Sequence, residues 1–236
     1  MELKNKVVFI TGSSDGIGKE AAISFAKEGS KIIITYNGNK KGGEDVLNEC
    51  KKHTEAILLH LDVTDNESIK KCVEDLMKKF GEIDILVNNA GIVSRKNFLE
   101  QDKNEIDSQI DVNLKGLMKV THEVLPHLLK KKGGMILNLA SGAAKNGFPG
   151  LVTYCASKFG VRGFTRALAK ELPERIKIYS INPGRIATKI SDFDGTPIKD
   201  LVSVIIKTAK EELNVESGGD VDTFWERNKI FASNNI

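Results

Sequence analysis

Short apolar runs alternate along the chain with segments whose apolar residues recur every three or four positions. "KVVFITG", "SKIIITYN" and "EAILLHLDVTD" read as the first three strands, the last running into a turn. "IDILVNNAG", "GGMILNLAS" and "IKIYSINPG" read as the fourth to sixth. Between them, "GKEAAISFAKEG", "GGEDVLNECKKH" and "NESIKKCVEDLMKKFG" carry helical spacing, the third with Asp65 or Asn66 as its cap. A long helical stretch is expected from about Glu105 to Lys132, and another from Tyr154 to Leu172. Further on, Thr196 as N-cap and Pro197 at the first helical position predict a helix through "IKDLVSVIIKTAKEEL".

Strands that are apolar throughout, alternating with helices, imply a parallel sheet covered on both faces. The fold class expected is α/β, a doubly wound parallel sheet of Rossmann-like type in three α/β/α layers. No linker, repeat or low-complexity tract divides the 236 residues, so a single domain over 1–236 is expected. Such sheets bind ligands beyond the carboxyl ends of their strands. Those ends are where the polar and glycine-rich pieces fall: Thr11-Gly12, Asn37, Asp62, Asn88–Gly91, Ser141-Gly142 and Pro183-Gly184.

Composition narrows the function classes. The chain is 40% hydrophobic and 28% charged, with a net charge of +3 spread along its length, which gives no footprint for nucleic acid. Lysine runs at Lys40–Lys41 and Lys130–Lys132 lead into Gly-Gly and read as solvated turns. The three cysteines, Cys50, Cys72 and Cys155, are scattered without a CxxC, which suits a reducing compartment. The four histidines lack metal-ligand spacing, so no metal is expected. The amino terminus enters an apolar strand almost at once, with no leader or membrane-spanning run, so a cytoplasmic protein is expected.

Two stretches carry chemistry. In "TYCASK", Tyr154 and Lys158 lie four apart and share one helix face. A nearby ammonium group favours a phenolate, which would pull the tyrosine down from its ordinary value of roughly 10. In "TGSSDGIG", Gly12, Gly16 and Gly18 let the backbone approach a pyrophosphate at the positive end of the following helix. An isolated Y-x-x-x-K is more often a solvated helix face, and a glycine-rich strand-to-helix turn is not specific by itself.

The ordered set is specific. "TGSSDGIG", "NNAG" at 88–91, "DVN" at 111–113, Ser141, "YCASK" at 154–158 and "PG" at 183–184 resemble the single-domain short-chain dehydrogenase/reductase family, over about residues 5–190. The resemblance implies that Tyr154 is the acid/base and that Lys158 binds the nicotinamide ribose and, together with the cationic oxidised nicotinamide ring, lowers the phenol pKa. It implies that Ser141 holds the substrate oxygen, while Asn113 kinks its helix and holds a water that passes protons to Lys158. Around the pyrophosphate and adenosine it places Gly12, Ser13, Ser14, Asp15, Gly16, Ile17 and Gly18, then Tyr36 and Asn37. Asp62 and Val63 would meet the adenine, while Asn89, Ala90 and Gly91 would line the groove. Pro183, Gly184, Ile186 and Thr188 would reach the nicotinamide. Asn88 reads chiefly as a strand-end cap, and Asp62 has an alternative as a turn cap with Thr64 and Asp65.

An acid closing the second strand would select NAD. Tyr36 and Asn37 stand there instead, and Lys40 or Lys41 could meet a 2′-phosphate, so NADP(H) is favoured over NAD(H). Asp15 opposes that choice if it points inward. In the carboxyl third, a substrate loop and lid are expected near 185–215, while "NVESGGDVDTFWERNKIFASNNI" lacks the family's glycine-rich closing strand. Ala143, Ala144, Phe148, Leu151, Arg185 and Phe193 are candidate pocket walls.

The expected activity is oxidoreduction between a nicotinamide and a small carbonyl or alcohol. A 3-oxoacyl thioester (acyl-carrier-protein) reductase is the alternative, with Arg162 and Arg166 as docking cations. A non-catalytic nucleotide sensor on the same fold is a second alternative. Apolar positions beyond one buried face around 113–130 and 155–172 point to a homo-oligomer, dimer or tetramer, with neither nucleic acid nor membrane as partner.

Overall fold

The computed structural model describes residues 1–187, 194–223 and 230–233. Six strands form where expected: β1 Val7–Ile10, β2 Lys31–Tyr36, β3 Ala56–His60, β4 Ile85–Asn88, β5 Gly134–Leu139 and β6 Ile176–Pro183. Two more, β7 Asp220–Thr223 and β8 Ile230–Ser233, complete one sheet in the order 3-2-1-4-5-6-7-8. β1 to β7 are mutually parallel and β8 runs antiparallel to β7. The closing strand not expected in the carboxyl third is therefore present. It was hidden by its sequence, "DVDT", which puts two aspartates in a buried strand.

Strand alternation divides the core into two layers. From β1, Val8 and Ile10 face one way, packing with Phe25 of α1 (Gly16–Lys27), Val46 of α2 (Lys40–Cys50) and Ile205 of α7 (Ile198–Ala209). Val7 and Phe9 face the other way. They join Leu76 of α3 (Asn66–Phe80), Val124 of α5 (Leu117–Leu129) and Leu168 of α6 (Val152–Glu171). Both faces are thus apolar, which is why the strands read as unbroken hydrophobic runs.

Local chemistry sets the helix ends. Asp65 caps α3 by accepting from the Glu67 N–H, and Gly81 ends it in the left-handed region at φ 73°. The helix expected from Glu105 to Lys132 is divided into α4 (Lys103–Ile110), a π-helical turn (Asp111–Gly116) and α5. The π turn carries Asn113, so the predicted kink is a change of helical pitch. Pro197 stands before α7 with extended ψ of 137°, so the cap lies one residue later than the sequence indicates. Thr196 is held back by a parallel bridge to Ile186, its N–H donating to the Arg185 carbonyl at 2.8 Å.

Candidate active site

The sheet order reverses between β1 and β4, and a crevice opens beyond their carboxyl ends. It is a cavity of about 860 Å³, walled by the loops after β1 to β6. Loop polar groups are held by bonds that leave the backbone in place. The Thr11 hydroxyl accepts from the N–H groups of Asn89 and Ala90, both at 3.0 Å. The Asn89 amide donates to the carbonyls of Thr11 and Gly12, both at 2.9 Å, stitching the two loops together. Gly12, at φ 63°, lies so close to Ala90 that a Cβ there would stand 2.9 Å from the Ala90 Cα.

Gly12, Ser14, Asp15, Gly16 and Ile17 line the cavity, but Ser13 and Gly18 do not. Ser13 is fully buried beneath the turn, its hydroxyl donating to the Ile10 carbonyl and accepting from the Thr35 N–H. Gly18 is a packing glycine: a Cβ there would meet the Gly12 carbonyl and the Asn89 amide at 2.5 Å. Asp15 lines the cavity while capping α1, one carboxylate oxygen accepting from the Gly16 N–H at 2.8 Å. Asn37 also lines the cavity, whereas Tyr36 does not. Alternation turns Thr35 inward, to donate to the Ile10 carbonyl, and sends Tyr36 against the edge of His60 at 5.5 Å.

Asp62 combines the two readings the sequence left open. One carboxylate oxygen accepts from the Thr64 N–H and hydroxyl at 2.8 and 2.7 Å, and the residue still lines the cavity beside Val63. The Thr64 hydroxyl, then its N–H, hold the Asp62 carboxyl below the usual range, with Asn37 and His60 assisting. Asn88 is a bridge rather than a simple cap: it donates to Thr121 and to Asn138, each at 2.9 Å, inside the sheet–helix interface.

At the far end stand Ser141, Tyr154 and Lys158. Ser141 caps the one-turn 3₁₀ helix Gly142–Ala144, accepting from the Ala143 N–H at 3.1 Å, and is hydrogen-bonded to the Tyr154 phenol. Lys158, one turn on, lies 5.7 Å from the Tyr154 ring centre, and its ammonium donates to the Leu139 carbonyl at 2.8 Å. No carboxylate pairs with it among the described residues, and burial pulls its pKa from 10.5 down to about 8. Burial pushes the Tyr154 phenol up, against smaller downward pulls from Ser141 and Arg95. In the protein alone, desolvation moves both groups toward their neutral forms.

Asn113 sits behind this wall. Its amide donates to the Ile92 carbonyl at 2.8 Å and to Ser157 at 3.2 Å, and accepts from the Ile92 N–H at 2.8 Å. Both its amide oxygen and the Lys158 ammonium lie against Gly91, where a Cβ would be 3.2 and 3.6 Å from them. Ala90, Gly91, Pro183, Gly184 and Ile186 reach the cavity; Thr188 lies outside the described residues.

Of the expected pocket walls, Ala143, Phe148, Leu151 and Arg185 line the cavity. Ala144 is fully buried against Leu117 and Val161, and Phe193 lies outside the described residues. Ile92, Val93 and Arg95 line the cavity without having been singled out. Their signal was position, directly after a strand whose carboxyl end was already marked.

The donor set suits a dinucleotide. Two unspent ammonium protons, a phenol and a hydroxyl face one end, and a glycine turn leading into a helix amino terminus faces the other. This is the crevice of a dinucleotide-dependent oxidoreductase on a Rossmann-type sheet. The model of the short chain dehydrogenase family matches residues 6–196, and the chain belongs to that family. It is 34% identical over 215 residues to the 3-oxoacyl-(acyl-carrier-protein) reductase FabG of Staphylococcus epidermidis, covering 89% of this chain and 88% of that protein. It is 38% identical over 194 residues to the protein of that name in Thermotoga maritima, covering 81% and 78%. The crystal structure of a dehydrogenase/reductase from Sinorhizobium meliloti 1021 superposes with TM-score 0.87 at 25% identity, covering 94% and 95%. The chain is thus a nicotinamide-dependent oxidoreductase acting on carbonyl or alcohol groups. No described helix is long and apolar enough to cross a membrane.

Proposed function

We propose an NADP(H)-preferring carbonyl reductase or alcohol dehydrogenase in which Tyr154 is the acid/base. The observation that carries the assignment is the meeting of Ser141, Tyr154 and Lys158 at one end of a cavity whose other end lies at the starts of α1 and α2. A nicotinamide supplies or accepts the hydride. The Tyr154 phenol gives its proton to the carbonyl oxygen, and the Ser141 hydroxyl holds that oxygen as charge develops. The two free N–H bonds of Lys158 bind ribose hydroxyls. Asn113, fastened to the Ile92 backbone, keeps the loop after β4 and the π turn in register. The second carboxylate oxygen of Asp62 accepts from the adenine amine.

The NADP(H) preference rests on the turn after β2. Asn37, Gly38 and Asn39 line the cavity, and Asn39 caps α2, accepting from the Gly42 N–H at 3.0 Å. The first residue of α2 is Lys40, at the positive end of the helix. Lys41 is committed elsewhere, 2.6 Å from Asp45, which leaves Lys40 as the cation for a 2′-phosphate. Fluorescence titration is expected to give tighter binding of NADPH than NADH. Lys40→Ala should weaken NADPH about tenfold and leave NADH unchanged. Equal affinities, or tighter binding of NADH, in the unmodified protein would overturn the preference.

A second reading is favoured by the relatives, two of which are named 3-oxoacyl-(acyl-carrier-protein) reductases. The docking cations expected for it are otherwise engaged: Asp220 binds Arg162 at 2.7 Å and Arg166 at 3.1 Å. A panel of simple ketones against a 3-oxoacyl thioester, with and without its carrier, separates the two readings. Turnover confined to the carrier-bound thioester would overturn the first.

We also propose self-association through α5 and α6, where Met118, Val152 and Phe159 are exposed apolar side chains. Light scattering should give at least a dimer. A monomer at working concentration would refute it.

A further inference from the structure

Two carboxylates, Asp220 and Asp222, alternate on β7, so both face the same side of the sheet, and each is 1% exposed. Neither was singled out in the sequence, and neither touches the cavity. Asp220 receives the Arg162 guanidinium on both oxygens, Nε at 3.0 and 2.9 Å and Nη2 at 2.7 Å, and Arg166 Nη2 at 3.1 Å. Asp222 receives the Lys145 ammonium at 2.6 Å, and that ammonium also lies 3.4 Å from Asp220. The Asn182 amide of β6 donates to both carboxylates, at 3.1 and 3.0 Å, while its oxygen accepts from Ser180 at 2.9 Å.

The cations come from the two elements that carry the reacting side chains. Lys145 ends the one-turn helix that Ser141 caps. Arg162 lies on α6 one turn beyond Lys158 and two beyond Tyr154, on the same face. A single pair of buried carboxylates thus ties the Ser141 turn and the Tyr154 helix to one strand. Buried ion pairs add little to stability over apolar packing, and geometric specificity is the use that fits one placed here.

We propose that Asp222 and Lys145, with Asp220 and Arg162, are positioning residues that set the Ser141–Tyr154 hydrogen bond. The inference rests on Tyr154 being the acid/base. Burial raises the phenol, and Ser141 heads the opposing influences, ahead of Arg95, while Cys155 adds to the rise. Lys158 faces the same ring. A slack Ser141 turn weakens that hydrogen bond and moves the phenol higher, without touching the nucleotide end of the cavity.

The test compares Lys145→Gln with Asp222→Asn in alcohol oxidation, where activity rises with pH as Tyr154 loses its proton. Through the electric field alone the two variants act in opposite directions, since one removes a positive charge and the other a negative one. Through geometry they act alike. Both are expected to shift the rising limb to higher pH and to lower kcat about tenfold, with NADPH affinity unchanged. Lys145→Arg is expected to restore the limb. Shifts of opposite sign, an unmoved limb, or losses that only track a fall in Tm would overturn the proposal. If Tyr154→Phe retains full turnover, the acid/base assignment has failed. If Tyr154→Phe is inactive while both limbs stay put, the positioning role alone has failed.

Discussion

Tyr154→Phe is expected to lower kcat about 10³-fold while NADPH affinity changes by less than about twofold. The phenol is the group assigned to lend a proton to the substrate, with the Lys158 ammonium assigned to the ribose. Ser141 keeps its own hydroxyl proton at any working pH, and its oxygen already accepts from the Ala143 N–H. The tyrosine ring packs with Ala143, Leu151 and Cys155, contacts that phenylalanine retains, so the variant loses a proton rather than a wall. Burial raises the phenol, which keeps Tyr154 protonated at neutral pH and readies it to donate to a carbonyl. Carbonyl reduction should therefore hold steady at neutral pH and fall as pH rises through the phenol's value. NADPH consumption across pH, for both proteins, checks this. Undiminished reduction by Tyr154→Phe would end the acid/base assignment.

How legible this was depends on the range of the interactions involved. The six strands and their order along the chain could be read because each carries a short, largely apolar run, which is fully buried in the central β1, β4 and β5. β7 could not, since Asp220 and Asp222 look like loop residues until cations more than fifty positions away neutralise them. The π turn was concealed for a different reason: its apolar spacing continues that of α4 and α5, and only the resemblance singled out Asn113. Tyr36 was within reach of local reasoning. Thr35 and Tyr36 must face opposite sides of a strand, and the glycine turn can use only one of them. Ser13 and Gly18 belong to the cradle's support, a distinction that spacing alone does not carry. Arg162 and Arg166 looked like free surface charge for the same reason that β7 looked like loop.

Lys158→Met is expected to abolish most turnover and yet to stabilise the protein at neutral pH. In the fold the lysine's pKa is about 8 against an ordinary 10.5, because burial penalises the ammonium. A depressed lysine pKa means the folded state holds its proton less tightly than the unfolded chain. The cost of burying the charge is thus borne in full below pH 8 and disappears as pH rises from about 8 to 10.5. A displacement of that size corresponds to roughly 3 kcal/mol. Losing the hydrogen bond to the Leu139 carbonyl returns about 1 kcal/mol, so the net gain at pH 7 is roughly 2 kcal/mol. Urea unfolding at pH 7 and pH 10 checks both size and sign: the variant should lead at pH 7, and its lead should shrink by pH 10. A variant less stable at pH 7, or a gap indifferent to pH, would show that the ammonium is not strained by burial. A stabler, inactive variant would mean that the fold tolerates an unpaired buried cation because its two free N–H bonds have work to do in the cavity.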